Sequence, residues 1–164
     1  MTNNPMIRCA YLTGIVLSLT ACHGAKTTQP AVCNDPAAAQ AAFVSHVFAD
    51  NASSIGRDAA AVFVALPEGD EAKPVFLDKI RDISPRLAPA TQAQVDAAGV
   101  IRDPQTGGRA VLIRIRQFSM TGPASAEIQG GYEEASLSAS DAVYELRCEH
   151  DVWRITRRGP LKIS

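Results

Sequence analysis

Between residues 109 and 156 apolar side chains recur at every second position, and many of the positions between them carry charge. The stretch "RAVLIRIRQF" (109–118) puts Val111, Ile113 and Ile115 on one face and Leu112, Arg114 and Arg116 on the other. "SAEIQGGYE" (125–133) groups Ala126, Ile128 and Tyr132 against Glu127, Gln129 and Glu133. "AVYELRCE" (142–149) groups Tyr144, Leu146 and Cys148 against Glu145, Arg147 and Glu149, and "VWRIT" (152–156) sets Trp153 and Ile155 against Arg154. Such alternation is the pleat of a β-strand. One apolar and one charged face per strand predicts an antiparallel sheet covered on one side. The breaks "DPQTGG" (103–108), "TGPA" (121–124), "SLSAS" (136–140) and the tight "HD" (150–151) carry turn residues.

Ahead of the strands the spacing is helical. In "NDPAAAQAAFVSHVFADN" (34–51), Asp35 suits an N-cap and Pro36 the first helical position. Phe43, Val44, Val47 and Phe48 form one stripe, with His46 off it as a surface histidine. "AVFVAL" (61–66) reads as a strand or the end of a second helix, with strand preferred. "PVFLDKIRDI" (74–83) reads as a short helix turning Phe76, Leu77 and Ile80 inward. The expected fold class is α+β, with N-terminal helices packed on a curved antiparallel meander. This element order is similar to the cone-shaped nuclear-transport-factor-like and cystatin-like folds.

The C-terminal hairpins carry a second likeness. "GGYEEASLSASDAVYELRCEHDVWRI" and the terminal "KIS" resemble a group of uncharacterised exported bacterial proteins. The matching positions are Gly130, Gly131, Tyr132, Ser138, Ala139, Ser140, Tyr144, Trp153, Ile163 and Ser164. The resemblance implies a shared fold and carries no catalytic residues.

The N-terminus has another character. Arg8 is the only charge in the first 21 residues, and "CAYLTGIVLSLTA" follows it. That apolar run is shorter than the roughly 20 residues that span a bilayer, and it ends on small residues, as an export signal does. Leu19, Thr20, Ala21 and Cys22 resemble the lipobox of bacterial lipoproteins. The resemblance implies cleavage after residue 21 and lipid on the Cys22 thiol, which anchors the chain in a membrane. His23 in place of Asp implies the outer membrane, with the domain facing the periplasm. The expected organisation is a signal at 1–21, a lipidated tether at 22–32 reaching roughly 30–35 Å, and one periplasmic domain at 33–164.

In that compartment Cys33 and Cys148, the cysteines left over, read as a disulfide or as two unrelated buried thiols. The chain holds 16 basic and 17 acidic residues, so no basic excess exists to bind nucleic acid. The histidines have no metal-site spacing, and neither a nucleophile elbow nor a phosphate loop is present, so no catalytic residue, metal or cofactor is expected. The acidic turn "PEGDE" (67–71) lacks the alternating ligands of a calcium loop. Gly130 and Gly131 mark either a bulge or a place where a ligand approaches the sheet.

Two candidate sites remain. Arg114, Arg116, Glu127, Glu133, Glu145, Arg147, Glu149 and Arg154 should share the charged sheet face, as a solvated ladder or a protein-docking surface. Tyr132, Tyr144 and Trp153 would line a pocket if the fold encloses one, and pack as core otherwise. The expected function is a non-enzymatic module at the outer membrane with a protein partner, in one form an immunity or inhibitor protein against a periplasmic toxin. The alternatives are a small-ligand carrier or enzyme using a cone-shaped pocket, and an envelope-assembly accessory.

Overall fold

Asp35 opens the first helix: its Oδ1 accepts the Ala37 amide at 2.9 Å, and Pro36 needs no donor at the first position. The computed structural model describes residues 32–50, 58–67, 71–84, 86–135, 138–160 and 162–163. The expected signal, Cys22, His23 and nearly all of the tether lie outside these residues, as do most of the acidic turn at 67–71 and Ser164. Helix α1 (Pro36–Asp50) buries Ala39, Phe43, Val44 and Val47 along one side. Strand β1 (Ala61–Ala65) follows, then the short helix α2 (Pro74–Leu77), which continues as a 3-10 turn over Asp78–Ile83. Phe76 and Ile80 are buried and Leu77 is half-buried.

The remaining strands are β2 (Leu87–Pro89), β3 (Gln94–Val95), β4 (Ile101–Arg102), β5 (Ala110–Gly122), β6 (Ser125–Ala135), β7 (Ser138–Glu149), β8 (Val152–Arg158) and β9 (Lys162–Ile163). The main sheet runs β2-β1-β5-β6-β7-β8, with β9 also pairing β7, and β3 and β4 form a separate hairpin. The chain is therefore α+β. β5 to β8 make the expected antiparallel meander, but the sheet as a whole is mixed, because β1 runs parallel to both β2 and β5. A strand buried on both faces reads as a continuous apolar run, and "AVFVA" is one.

The main core lies between α1 and one face of the sheet. Phe43 is fully buried and meets the Tyr144 ring edge-on, with centroids 5.0 Å apart. Val62, Val64, Val111, Ile113, Ile115, Ile128 and Leu146 complete it; burying a side chain of this size contributes about 1.5–3 kcal/mol. Arg158 reaches from β8 to Asp50 at the end of α1, 2.9 Å away, and lies over the Tyr144 ring.

The sheet is not bare on its other face throughout. There Ala61, Phe63, Ala110 and Leu112 form a second, smaller core with Ala88 and Ile101. Leu112 alternates with the apolar set, as expected for the charged side, yet it is only 7% exposed because the β3–β4 region covers it. Asp103 is wholly buried beneath that cover. It pairs with Arg86 and accepts from the Thr106 hydroxyl and the Gln105 amide, which ties the 103–108 turn to the segment leading into β2.

Two turns correct the expected breaks. β5 persists to Gly122, and β7 begins at Ser138, inside the stretch expected to be a turn. His150 and Asp151 both take positive φ, 52° and 61°, as a two-residue hairpin turn between twisted strands requires.

Candidate functional site

The sheet face turned away from α1 collects the charged residues, and it divides into two halves. In the first half a bulge at Arg116 breaks the β5–β6 register between Ile115 and Gln117. The extra residue lets the Arg116 side chain reach two carboxylates: Glu133 Oε1 at 3.3 Å and Asp141 Oδ2 at 2.8 Å. Arg114 donates its Nε to the same Glu133 oxygen at 3.3 Å. The four side chains form one network, and Asp141 is the member the sequence reading missed, since it falls between the expected break at 136–140 and the expected strand start at 142, whereas β7 already includes it.

The β3–β4 hairpin borders this half. Asp96 builds its loop: Oδ1 accepts the Ala98 and Val100 amides at 2.9 Å, and Oδ2 accepts Arg102 Nε at 2.9 Å. The Val100 amide and the Arg102 guanidinium hold the Asp96 carboxyl below the usual carboxylate range. A bridge between Val100 and Ala135 fastens the loop to the end of β6. Between hairpin and sheet opens a cleft of about 430 Å3, walled by Ile101, Leu112, Ala135 and Ala139, with Arg114, Arg116 and Glu133 also in its wall.

The second half is open. Glu127 on β6 stands directly opposite Glu145 on β7, and Arg147 on β7 directly opposite Arg154 on β8. Glu145 pairs with Arg157 at 3.1 Å. Glu127, Arg147, Glu149 and Arg154 are exposed and make no ion pair among the described residues. Val143 and Val152, at 38% and 47% exposure, add apolar surface. All eight charged candidates therefore share a face, but not one environment.

Comparison with protein-family models, curated proteins and solved structures finds no match to this chain. Its chemistry has to be read from its own residues.

The aromatic candidates sit elsewhere. Tyr144 and Trp153 are 2% and 6% exposed within the main core, and Tyr132 packs half-buried against it. Burial pushes the Tyr144 phenol up, against the nearby Arg158 charge. His46, expected on the surface, is half-buried with its ring 6.2 Å from that of Tyr144. None of the three aromatics lines the cleft beneath the hairpin.

Gly130 and Gly131 are explained by close approach of backbone. A β-carbon on Gly130 would lie 2.3 Å from the Arg114 carbonyl oxygen and 3.0 Å from the Phe43 ring, so its absence lets α1 settle on the sheet. Cys33 and Cys148 form a disulfide with Cα atoms 5.4 Å apart. Among the described residues no group of three or more His, Cys, Asp or Glu is placed to hold a metal, and no helix is long and apolar enough to cross a membrane.

Proposed function

We propose that this chain is a lipid-anchored protein of the outer-membrane periplasmic face, and that it binds another protein through the open half of its charged sheet face. The observation that carries the reading is the order of charge there. Among the described residues Glu127, without an ion pair, faces Glu145, which Arg157 offsets in part, and Arg147 faces Arg154 with a counter-ion on neither. Like charges set opposite each other across strands destabilise a sheet. A partner with basic groups over the glutamates and acidic groups over the arginines relieves both repulsions at once, and such complementarity fixes register and speeds encounter. The exposed Val143 and Val152 supply apolar area beside it.

The concrete form is a non-enzymatic immunity or inhibitor protein, holding off a toxin or hydrolase that arrives in the periplasm. A lipid on Cys22 and a short tether would keep the domain near the membrane such an agent must pass. The finer fold likeness, nuclear-transport-factor-like or cystatin-like, belongs to the same reading. What supports it is the packing of α1 across the antiparallel strands of β5 to β8.

The test is crosslinking in intact cells, comparing the native chain with a variant carrying Glu127→Arg, Arg147→Glu and Arg154→Glu. The native chain should give a discrete protein adduct that the variant loses. An adduct unchanged by the reversals, or none from either chain, overturns the reading. Loss of envelope integrity on deletion, without any toxin present, would point to an assembly accessory instead.

A further inference from the structure

The cleft beneath the β3–β4 hairpin lies apart from the open half of the face. Its walls are apolar along Ile101, Leu112, Ala135 and Ala139. At its border Val95 is 67% exposed, a large apolar side chain left in water. Its volume, about 430 Å3, falls in the range of small-molecule sites, roughly 300–1,000 Å3.

The charged part of the wall is unbalanced. Arg114 and Arg116 contribute two guanidiniums and Glu133 a single carboxylate. The other carboxylate of the network, Asp141, holds Arg116 through Nε from outside the cleft wall. Arg114 is the less satisfied arginine. Its Nε donates to Glu133, and its two terminal nitrogens make no hydrogen bond among the described residues. A guanidinium fork with free terminal nitrogens matches a carboxylate. Glu133 engages both arginines, so their side chains are set before any ligand arrives.

We propose that this cleft binds a small amphiphilic monoanion, a carboxylate on a short aliphatic stem, with the carboxylate on the Arg114 fork and the stem against Leu112, Ile101 and Ala139. The binding step is non-covalent. The same chemistry is offered by a free aliphatic acid and by the C-terminal residue of a peptide ending in leucine. Neither source requires the open half of the face, so the site stands or falls apart from the protein-docking reading.

The experiment is a titration of the 15N-labelled full chain with hexanoate, following the amides of Ala135 and Ala139 and the Nε–H of Arg114. N-acetyl-leucine represents the peptide source, hexanamide removes the charge and acetate removes the stem. Expected are saturable shifts confined to the cleft, with a Kd on the order of 1 mM or tighter. Acetate, short of four methylenes, should bind on the order of a hundredfold more weakly, and hexanamide, which lacks the charge, about tenfold more weakly. Arg114→Gln should weaken hexanoate by about the same tenfold, and Ala139→Leu should block the cleft, while Asp82→Asn, exposed in the 3-10 turn after α2, changes nothing. The ratio of hexanoate to N-acetyl-leucine affinity distinguishes the two sources. Shifts that fail to saturate, equal response to hexanoate and hexanamide, or an Arg114→Gln variant that binds like the native chain would each overturn the proposal.

Discussion

A β-carbon built on Gly131 would lie 1.7 Å from the carbonyl oxygen of Ser140. The two residues sit on neighbouring strands, one step out of register, and the obstruction is backbone rather than a side chain that could swing aside. Gly131→Ala should therefore force β6 and β7 apart. Overpacking of this kind costs about 1–3 kcal/mol, readable as a lowered urea midpoint. Gly107→Ala is the contrast: nothing lies within 4 Å of its β-carbon, and only its φ of 70° resists the change.

The disulfide joins residues 115 positions apart. Replacing Cys33 and Cys148 by serine should lower stability by about 2–5 kcal/mol. Denaturation with and without reductant checks this, and the reduced native chain should match the double variant.

Asp103 gives the sharpest contrast between buried and exposed charge. Removing its carboxylate leaves Arg86 half-enclosed without its partner, and breaking a buried pair costs about 3–5 kcal/mol. Asp103→Ala should reach that range and loosen the cover over Phe63 and Leu112. Glu145→Gln breaks the exposed pair with Arg157 but also relieves the repulsion from Glu127 opposite, so stability should change by no more than about 1 kcal/mol. Thermal unfolding of the two variants side by side is the measurement.

Asp35 makes stability depend on acid. Burial raises its carboxyl, but the Lys79 ammonium and the Ala37 and Ala38 amides outweigh burial and leave it below the ordinary value. The folded chain thus releases this proton more readily than the unfolded chain. The contribution is complete above the unfolded carboxylate value of about 3.9 and is lost as pH falls through the folded one. Asp35→Asn should lose its share of stability at neutral pH, and its unfolding midpoint should fall less steeply than the native one below about pH 4.

The long strands were legible because one face of each is buried against α1, which enforces a strict alternation over Tyr144–Cys148 and keeps Val111, Ile113 and Ile115 on one face of β5, although Leu112 is buried on the other. The helix start was legible too, since Asp35 and Pro36 act locally. Parallel pairing was not. Val62 and Val111 are brought side by side by a crossover, and no spacing within either segment reports the other. The strands β3 and β4, two residues each, are too short to show a period, so the cleft they border was invisible. The split of the charged face also depends on pairing. Arg114 and Arg147 look alike in sequence, but register sets one beside the Glu133 network and the other opposite Arg154.

The bridge between Cys33 and Cys148 also decides how the domain bears load. Cys148 lies near the end of β7, paired to Trp153 on β8, and its amide donates to the Ala124 carbonyl beside β6. A pull on the chain ahead of Cys33 would pass through the sulfur bridge into the sheet before it could unwind α1. The ladders on both sides of β7 would then share the tension, so a domain tugged from its N-terminal side resists as a sheet and not as a helix.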